Sequence, residues 1–266
     1  MLPEDKSVTP SRPITAALVI RSTLFTIGMF LSTALWAPLI VIASPLPFSV
    51  RYRLSQQWSR FNIWWLNKTC DIDYQLEGLE QLPTEPVVVL AKHQSAWETI
   101  FFHQLLPPLA WVIKRELLWI PFFGWAMGRL RPIAINRAES RAALMQLLRQ
   151  GQARLNSGLW VLIFPEGTRT APGASGEYHS GGAFLATRSG YAVLPIAHNA
   201  GEHWSRRGFL KYPGTIRVRF GPLMDSKGYK PKELNQRVER WIENAMAQLS
   251  GLSPHATRPA TSTEDR

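Results

Sequence analysis

His93 and Glu98 are separated by four residues in the run Lys92-His-Gln-Ser-Ala-Trp-Glu98, directly after the β-branched apolar stretch Pro86-Val-Val-Val-Leu-Ala91. A neutral imidazole can take a proton from an alcohol at physiological pH. A carboxylate bonded to its other nitrogen would fix the tautomer and stabilise the imidazolium that forms. The same residues have a plainer use. Ser95-Ala-Trp-Glu98 fits a capping box, in which Glu98 bonds only the backbone at a helix start. Both uses stay open on the residues alone.

A second segment, Phe164-Pro-Glu-Gly-Thr-Arg169, follows another apolar run. Gly167 allows a tight turn or close approach to a ligand. Arg169 offers a planar, permanently charged fork suited to phosphate. Glu166 could bond a hydroxyl or orient a cation. Taken alone, the hexapeptide also reads as a strand-ending turn with a surface ion pair. A hydrolase built on Ser95 with His93 is disfavoured, because residues two apart on a loop seldom meet correctly and no G-x-S-x-G elbow occurs. His103, His179, His198, His203 and His255 show no metal-ligand spacing.

The elements that must carry these groups follow a strand–helix alternation. Strands are predicted at Asp71–Glu77, Pro86–Ala91, Trp111–Lys114, Ile133–Asn136, Trp160–Phe164, Ala192–Ala197 and Thr215–Phe220. Helices are predicted at Ala96–Leu106, with Glu98 in its first turn, at Ser140–Leu155, which is amphipathic, at Gly182–Ser189, which is short, and at Pro231–Leu249, which carries one apolar face. This pattern predicts an α/β fold, a mostly parallel central sheet flanked by helices, and places His93 at the end of a central strand.

Upstream, no charged residue occurs from Ser22 to Val50, and Leu24–Ile42 is long and apolar enough to cross a hydrocarbon core. A cleaved signal is disfavoured, since no clean A-x-A site precedes Pro45 and Pro47. Basic residues flank both sides (Lys6, Arg12 and Arg21; Arg51, Arg53 and Arg60), which favours a re-entrant hairpin with both flanks cytoplasmic over a single span. Pro38 is the expected break. Trp58, Phe61, Trp64 and Trp65 recur at helical spacing, as in a helix lying on the bilayer or packed on the domain. The expected organisation is a flexible N-terminus (1–13), a membrane anchor (14–50), an interfacial amphipathic helix (51–70), the α/β domain (71–250) and a disordered tail (251–266).

Composition agrees with a lipid surface. Lys and Arg number 30 against 19 Asp and Glu, a formal charge of +11, and there are 11 tryptophans. The charge favours anionic partners, and Trp is enriched at membrane–water interfaces. Nucleic acid is not the expected partner, because the arginines are scattered and the apolar segment would go unexplained. The single cysteine, Cys70, excludes an internal disulfide framework.

Together these segments resemble the glycerolipid acyltransferase family that includes the 1-acylglycerol-3-phosphate acyltransferases. The family's first motif, a histidine, four residues and an acid, is matched by His93 and Glu98. The second is matched by Ile133-Ala-Ile-Asn-Arg137, the third by Phe164–Arg169 and the fourth by Val193-Leu-Pro-Ile196. Two departures stand out: Glu98 where the family usually has Asp, and Tyr178-His-Ser-Gly181 where members often carry lysines. The resemblance implies transfer of an acyl group from a thioester to the sn-2 hydroxyl of a lysophospholipid, with His93 as base and Glu98 as its orienting acid. It implies an acceptor site of Arg137, Glu166, Gly167, Thr168 and Arg169. It implies no metal or cofactor, with acyl-CoA or acyl-acyl carrier protein as co-substrate. Lysophosphatidic acid and membrane lipid are the implied partners, at the cytoplasmic face of the inner membrane. Glycerol 3-phosphate or another lysophospholipid is the alternative acceptor.

Overall fold

The computed structural model describes residues 12–136 and 140–250. The flexible ends expected at 1–13 and 251–266 therefore fall outside the described residues, except for Arg12 and Pro13. Arg12 lies over the Tyr212 ring and donates to the Glu202 carbonyl at 3.2 Å.

Helix α1 (Ala16–Ile42) starts where Thr15 Oγ1 accepts the Leu18 N–H at 3.2 Å. It is long and apolar enough to span a membrane. Ile20, Ile27, Phe30, Leu31, Leu35 and Ile42 are exposed along it. Helix α2 (Phe48–Cys70) returns antiparallel, with Trp58 Nε1 donating to Thr33 Oγ1 and Trp65 Nε1 to the Leu24 carbonyl, both at 3.2 Å. The break expected at Pro38 is not there: α1 runs through that residue, and the chain reverses at 43–47. One missing N–H is a single lost helix bond, whereas Pro45 and Pro47 close together deny the helix two.

Three of the aromatics in α2 hold this hairpin together. Trp58 and Trp65 make the bonds above, and Phe61 stacks on Trp36 with ring centroids 5.8 Å apart. Gly28 makes room for them, since a Cβ there would come within 2.0 Å of the Trp65 ring nitrogen. Trp64 alone of the four points outward.

The α/β domain is a seven-stranded sheet, in order β1 (Ile72–Glu77), β7 (Gly214–Phe220), β6 (Val193–His198), β2 (Val88–Ala91), β5 (Trp160–Ile163), β3 (Leu109–Lys114) and β4 (Ile133–Ile135). Every neighbouring pair is parallel except β6 with β7, which run antiparallel. Helices α3 (Trp97–Leu105), α4 (Phe123–Gly128), α5 (Ser140–Asn156), α6 (Gly181–Ser189) and α7 (Pro231–Leu249) complete the domain.

Both faces of the central strands are covered, which explains their continuous apolar runs. Val89 and Ala91 pack with Leu66 of α2 and with Trp97, Phe101 and Phe102 of α3. Val88 and Leu90 face the other way, against Leu147, Leu185, Leu234, Val238 and Ile242 of α5, α6 and α7. Because β2, β5 and β3 are parallel, their C-terminal ends lie together at one end of the sheet, and there the chain presents its chemistry.

Candidate active site

Strand β2 ends at Ala91, and His93 is the second residue beyond it. The backbone of His93 is clamped from both sides by the 164–170 segment. Its N–H donates to Glu166 Oε2 at 2.9 Å, and its carbonyl accepts the Thr170 N–H at 2.8 Å. The Phe164 carbonyl accepts the Gly167 N–H at 3.0 Å, closing a turn with Pro165 in its second place. Gly167 leaves this turn at φ +65°, where a side chain would be strained. The tight turn aims Glu166 inward, under His93.

The His93 ring is fixed as firmly as its backbone. It stacks on Phe164 with centroids 3.9 Å apart and 10° between planes. Nδ1 lies 2.8 Å from Glu98 Oε1. That same oxygen accepts the backbone N–H groups of Gln94 at 3.0 Å and Ser95 at 2.9 Å. The imidazole contact and the bonds to the helix-start amides are therefore made by one oxygen, so the two uses of this spacing are geometrically compatible. The longer Glu arm reaches the imidazole and the two amides from the first turn of α3. Burial opposes ionisation of Glu98, but the His93 hydrogen bond, ring charge nearby and the Ser95 amide outweigh it and hold the carboxyl below its ordinary range. An ionised acceptor on Nδ1 favours the tautomer with the proton there and the lone pair on Nε2.

Ser95 is not available as a nucleophile. It is fully buried, and its hydroxyl oxygen accepts the Trp97 N–H at 3.1 Å.

Glu166 differs from the expectation that it shapes the glycerol end of an acceptor. It is buried, and its Oε1 accepts Lys92 Nζ at 2.7 Å, Thr170 Oγ1 at 3.1 Å and the Gly176 N–H at 3.3 Å, while Oε2 takes the His93 amide. A carboxylate with both oxygens engaged inside the protein holds the loop; it orients a cation, Lys92. Lys92 Nζ also meets Glu243 Oε1 of α7 at 2.8 Å, and the Tyr178 hydroxyl donates to that oxygen at 2.7 Å. Tyr178, at one of the departures from the family pattern, is thus a buried strut, while His179 beside it is exposed.

Thr168 is exposed and Arg169 half-buried on the outer side of the turn. Arg169 Nε is buried and bonds no protein atom among the described residues. Arg137 lies outside the described residues; the strand leading to it, β4, is at the sheet edge, beyond β5 and β3 from His93.

The support beneath the site was not evident from spacing. His198 donates from Nε2 to the Lys92 carbonyl at 2.8 Å and accepts the Ala200 N–H on Nδ1 at 3.3 Å. Burial, the largest influence, depresses its pKa, in keeping with a neutral ring. Lys92 next to His93 after a buried strand, and Asn235 within the apolar face of α7, were the available signals. Asn235 donates to the Tyr178 carbonyl at 2.8 Å.

A histidine–carboxylate pair at the end of a parallel strand, in a domain joined to an apolar N-terminal helix, fits an acyltransferase, and the family model described as Acyltransferase matches residues 73–199. A 1-acyl-sn-glycerol-3-phosphate acyltransferase of Pseudomonas aeruginosa is 47% identical over 248 residues, covering 91% of this chain and 96% of that one. The chain belongs to the 1-acyl-sn-glycerol-3-phosphate acyltransferase family. A more distant relative, the alpha form of that enzyme from Mus musculus, is 29% identical over 158 residues, 57% of this chain and 54% of its own length. The crystal structure of a 1-acyl-sn-glycerophosphate acyltransferase, PlsC, from Thermotoga maritima shares the fold, with a TM-score of 0.73, 22% identity, and coverage of 88% of this chain and 98% of that one.

Proposed function

We propose that this chain transfers a fatty acyl group from a thioester to the sn-2 hydroxyl of 1-acylglycerol 3-phosphate, giving phosphatidic acid. One observation carries the mechanism: His93 Nδ1 is held by Glu98, which directs the lone pair of Nε2 outward. Nε2 removes the proton of the acceptor hydroxyl as its oxygen attacks the thioester carbonyl. The tetrahedral intermediate collapses with loss of the thiol, and the proton held on the imidazolium passes to the departing sulfur. The acceptor is itself the nucleophile, so no acyl-enzyme forms. The base supplies about 10² to 10⁴ in rate and positioning much of the remainder.

Arg169, with a buried Nε that bonds no protein group among the described residues, binds the phosphate together with Arg137, while Gly167 and Thr168 border the glycerol. Glu166 acts on the reaction through the His93 backbone. The donor is acyl-CoA or acyl-acyl carrier protein. The chain works at the cytoplasmic face of the inner membrane, anchored by the α1–α2 hairpin. Purified protein in lipid vesicles, given lysophosphatidate and each donor in turn, should form phosphatidate. Failure with both donors, or equal use of glycerol 3-phosphate, would refute this reading.

A further inference from the structure

Between β3 and β4 the chain makes a short 3-10 turn, Arg115–Trp119, and then α4. Trp119 is 72% exposed, Trp125 54% and Phe122 47%, with Ile120 exposed beside them. The Phe122 and Trp125 rings are 5.5 Å apart. Phe122 has φ +61° and ψ −67°, and the Pro121 carbonyl accepts the Phe123 N–H at 2.7 Å. This is the positive-φ γ-turn, a rare and strained geometry. Strain of this kind persists where something else over-determines it. Here it turns an aromatic ring outward from the core, while the Gly124 N–H to the Ile120 carbonyl at 2.8 Å and the Ala126 N–H to the Phe122 carbonyl at 3.0 Å hold the turn.

Three further features bear on what the exposed rings meet. First, Phe122 and Trp125 line one groove with Ala37, Pro38, Val41 and Ile42, so their surface continues the apolar face of α1. Second, the exposed cations Lys114 and Arg115 precede the aromatics, and Arg129 and Arg131 follow them. Aromatic rings bordered by cations match the boundary between lipid tails and anionic headgroups. Third, the turn leaves the C-terminal end of β3, the same end of the sheet at which β2 delivers His93.

We propose that residues 118–125 form a second membrane-insertion element, a wedge that enters an anionic bilayer beside α1 and seats the catalytic end of the sheet against the lipid surface. The inference rests on the membrane anchoring proposed above. One helical hairpin would fix the protein to the bilayer but leave the whole molecule free to roll about the hairpin axis. A second point of insertion fixes the angle at which the His93 site meets a substrate that never leaves the membrane.

Spin labels report depth directly. Full-length protein in a Cys70→Ala background would carry a label at Trp119→Cys, Trp125→Cys, Phe30→Cys on α1, or Lys227→Cys. Lys227 follows β7, which runs antiparallel and so ends at the far end of the sheet. In vesicles of phosphatidylcholine mixed with phosphatidylglycerol, labels at 30, 119 and 125 should collide with oxygen in preference to a water-soluble nickel chelate, and the label at 227 should do the reverse. Omitting phosphatidylglycerol should shift 119 and 125 toward water and leave 30 unchanged. If 30 is lipid-protected and 119 and 125 stay in water, the wedge is refuted and the anchor stands. If 30 is also in water, both fail. Protection of 119 and 125 that follows protein concentration, with or without lipid, would mean a second copy covers the patch and would also overturn the proposal. Trp119→Ser with Trp125→Ser should raise KM several-fold for vesicle-borne lysophosphatidate, with a soluble short-chain acceptor unaffected; equal losses on both would count against it.

Discussion

Glu166 Oε2 accepts the backbone N–H of His93 at 2.9 Å while its other oxygen holds Lys92 at 2.7 Å, so one carboxylate joins the two motif segments through the main chain. Removing one partner of a buried ion pair leaves an uncompensated charge and costs about 3–5 kcal/mol. Because Lys92 keeps Glu243 as a partner, Glu166→Gln should lower thermal stability by less than that, about 1–3 kcal/mol, and reduce kcat at least tenfold, because the loop beneath His93 loosens. Adding Lys92→Met should restore part of the stability and none of the rate. Melting curves and initial rates on the single and double variants test this; additive losses in stability would contradict it.

All the donors on Glu98 converge on Oε1, and Oε2 is buried without a partner among the described residues. Glu98→Gln should cut kcat by about 10²-fold or more, with KM little changed, since the amide cannot stabilise the imidazolium. Glu98→Asp withdraws the oxygen by one methylene and should fall between. A Gln variant turning over at the wild-type rate would remove Glu98 from the mechanism.

Arg169→Ala should act mainly on KM for lysophosphatidate, and Arg169→Lys should recover only part of the loss, because a point charge does not reproduce the planar fork. The contrasting experiment uses a lysolipid acceptor lacking phosphate. If Arg169→Ala weakens both acceptors equally, its phosphate role is wrong.

His103, in the last turn of α3, gives a pH signature. Its Nε2 lies 2.7 Å from Ser55 Oγ, whose own proton goes to the Tyr52 carbonyl at 2.7 Å, so the ring donates and stays neutral. Burial pushes its pKa down from 6.5 to about 4. The unfolded chain then binds the extra proton first as pH falls, so stability is full above about 6.5 and drains away toward pH 4, by on the order of 3 kcal/mol. His103→Gln should flatten this part of the curve of melting temperature against pH. A wild-type melting temperature constant from pH 7 to 4.5 would contradict the neutral assignment.

The strands were legible because two-sided burial imposes continuous apolar runs, and Val88–Ala91, Trp160–Ile163 and Val193–His198 obey it. Strand direction was less legible: β7 alternates as any half-buried strand does, and its reversal against β6 is set by the short return through 199–213. Helix α4 escaped notice because six residues with two glycines carry no periodicity worth reading. At the site, His93 and Glu98 announced themselves by spacing, whereas Glu243 lies 77 residues beyond Glu166 on the margin of an amphipathic face. Only the folded packing of α7 on the sheet brings its charge to Lys92.

Strand β1 leaves α2 as soon as the hairpin ends, yet its ladder partner begins only at Gly214. A ribosome therefore releases the hairpin long before the strand next to it can be paired. The order of assembly follows: the hairpin is complete early and closure of that sheet margin comes nearly last. A nascent chain halted short of Gly214 would carry a bare row of backbone donors and acceptors, a template for mispairing that β7 covers in the finished protein.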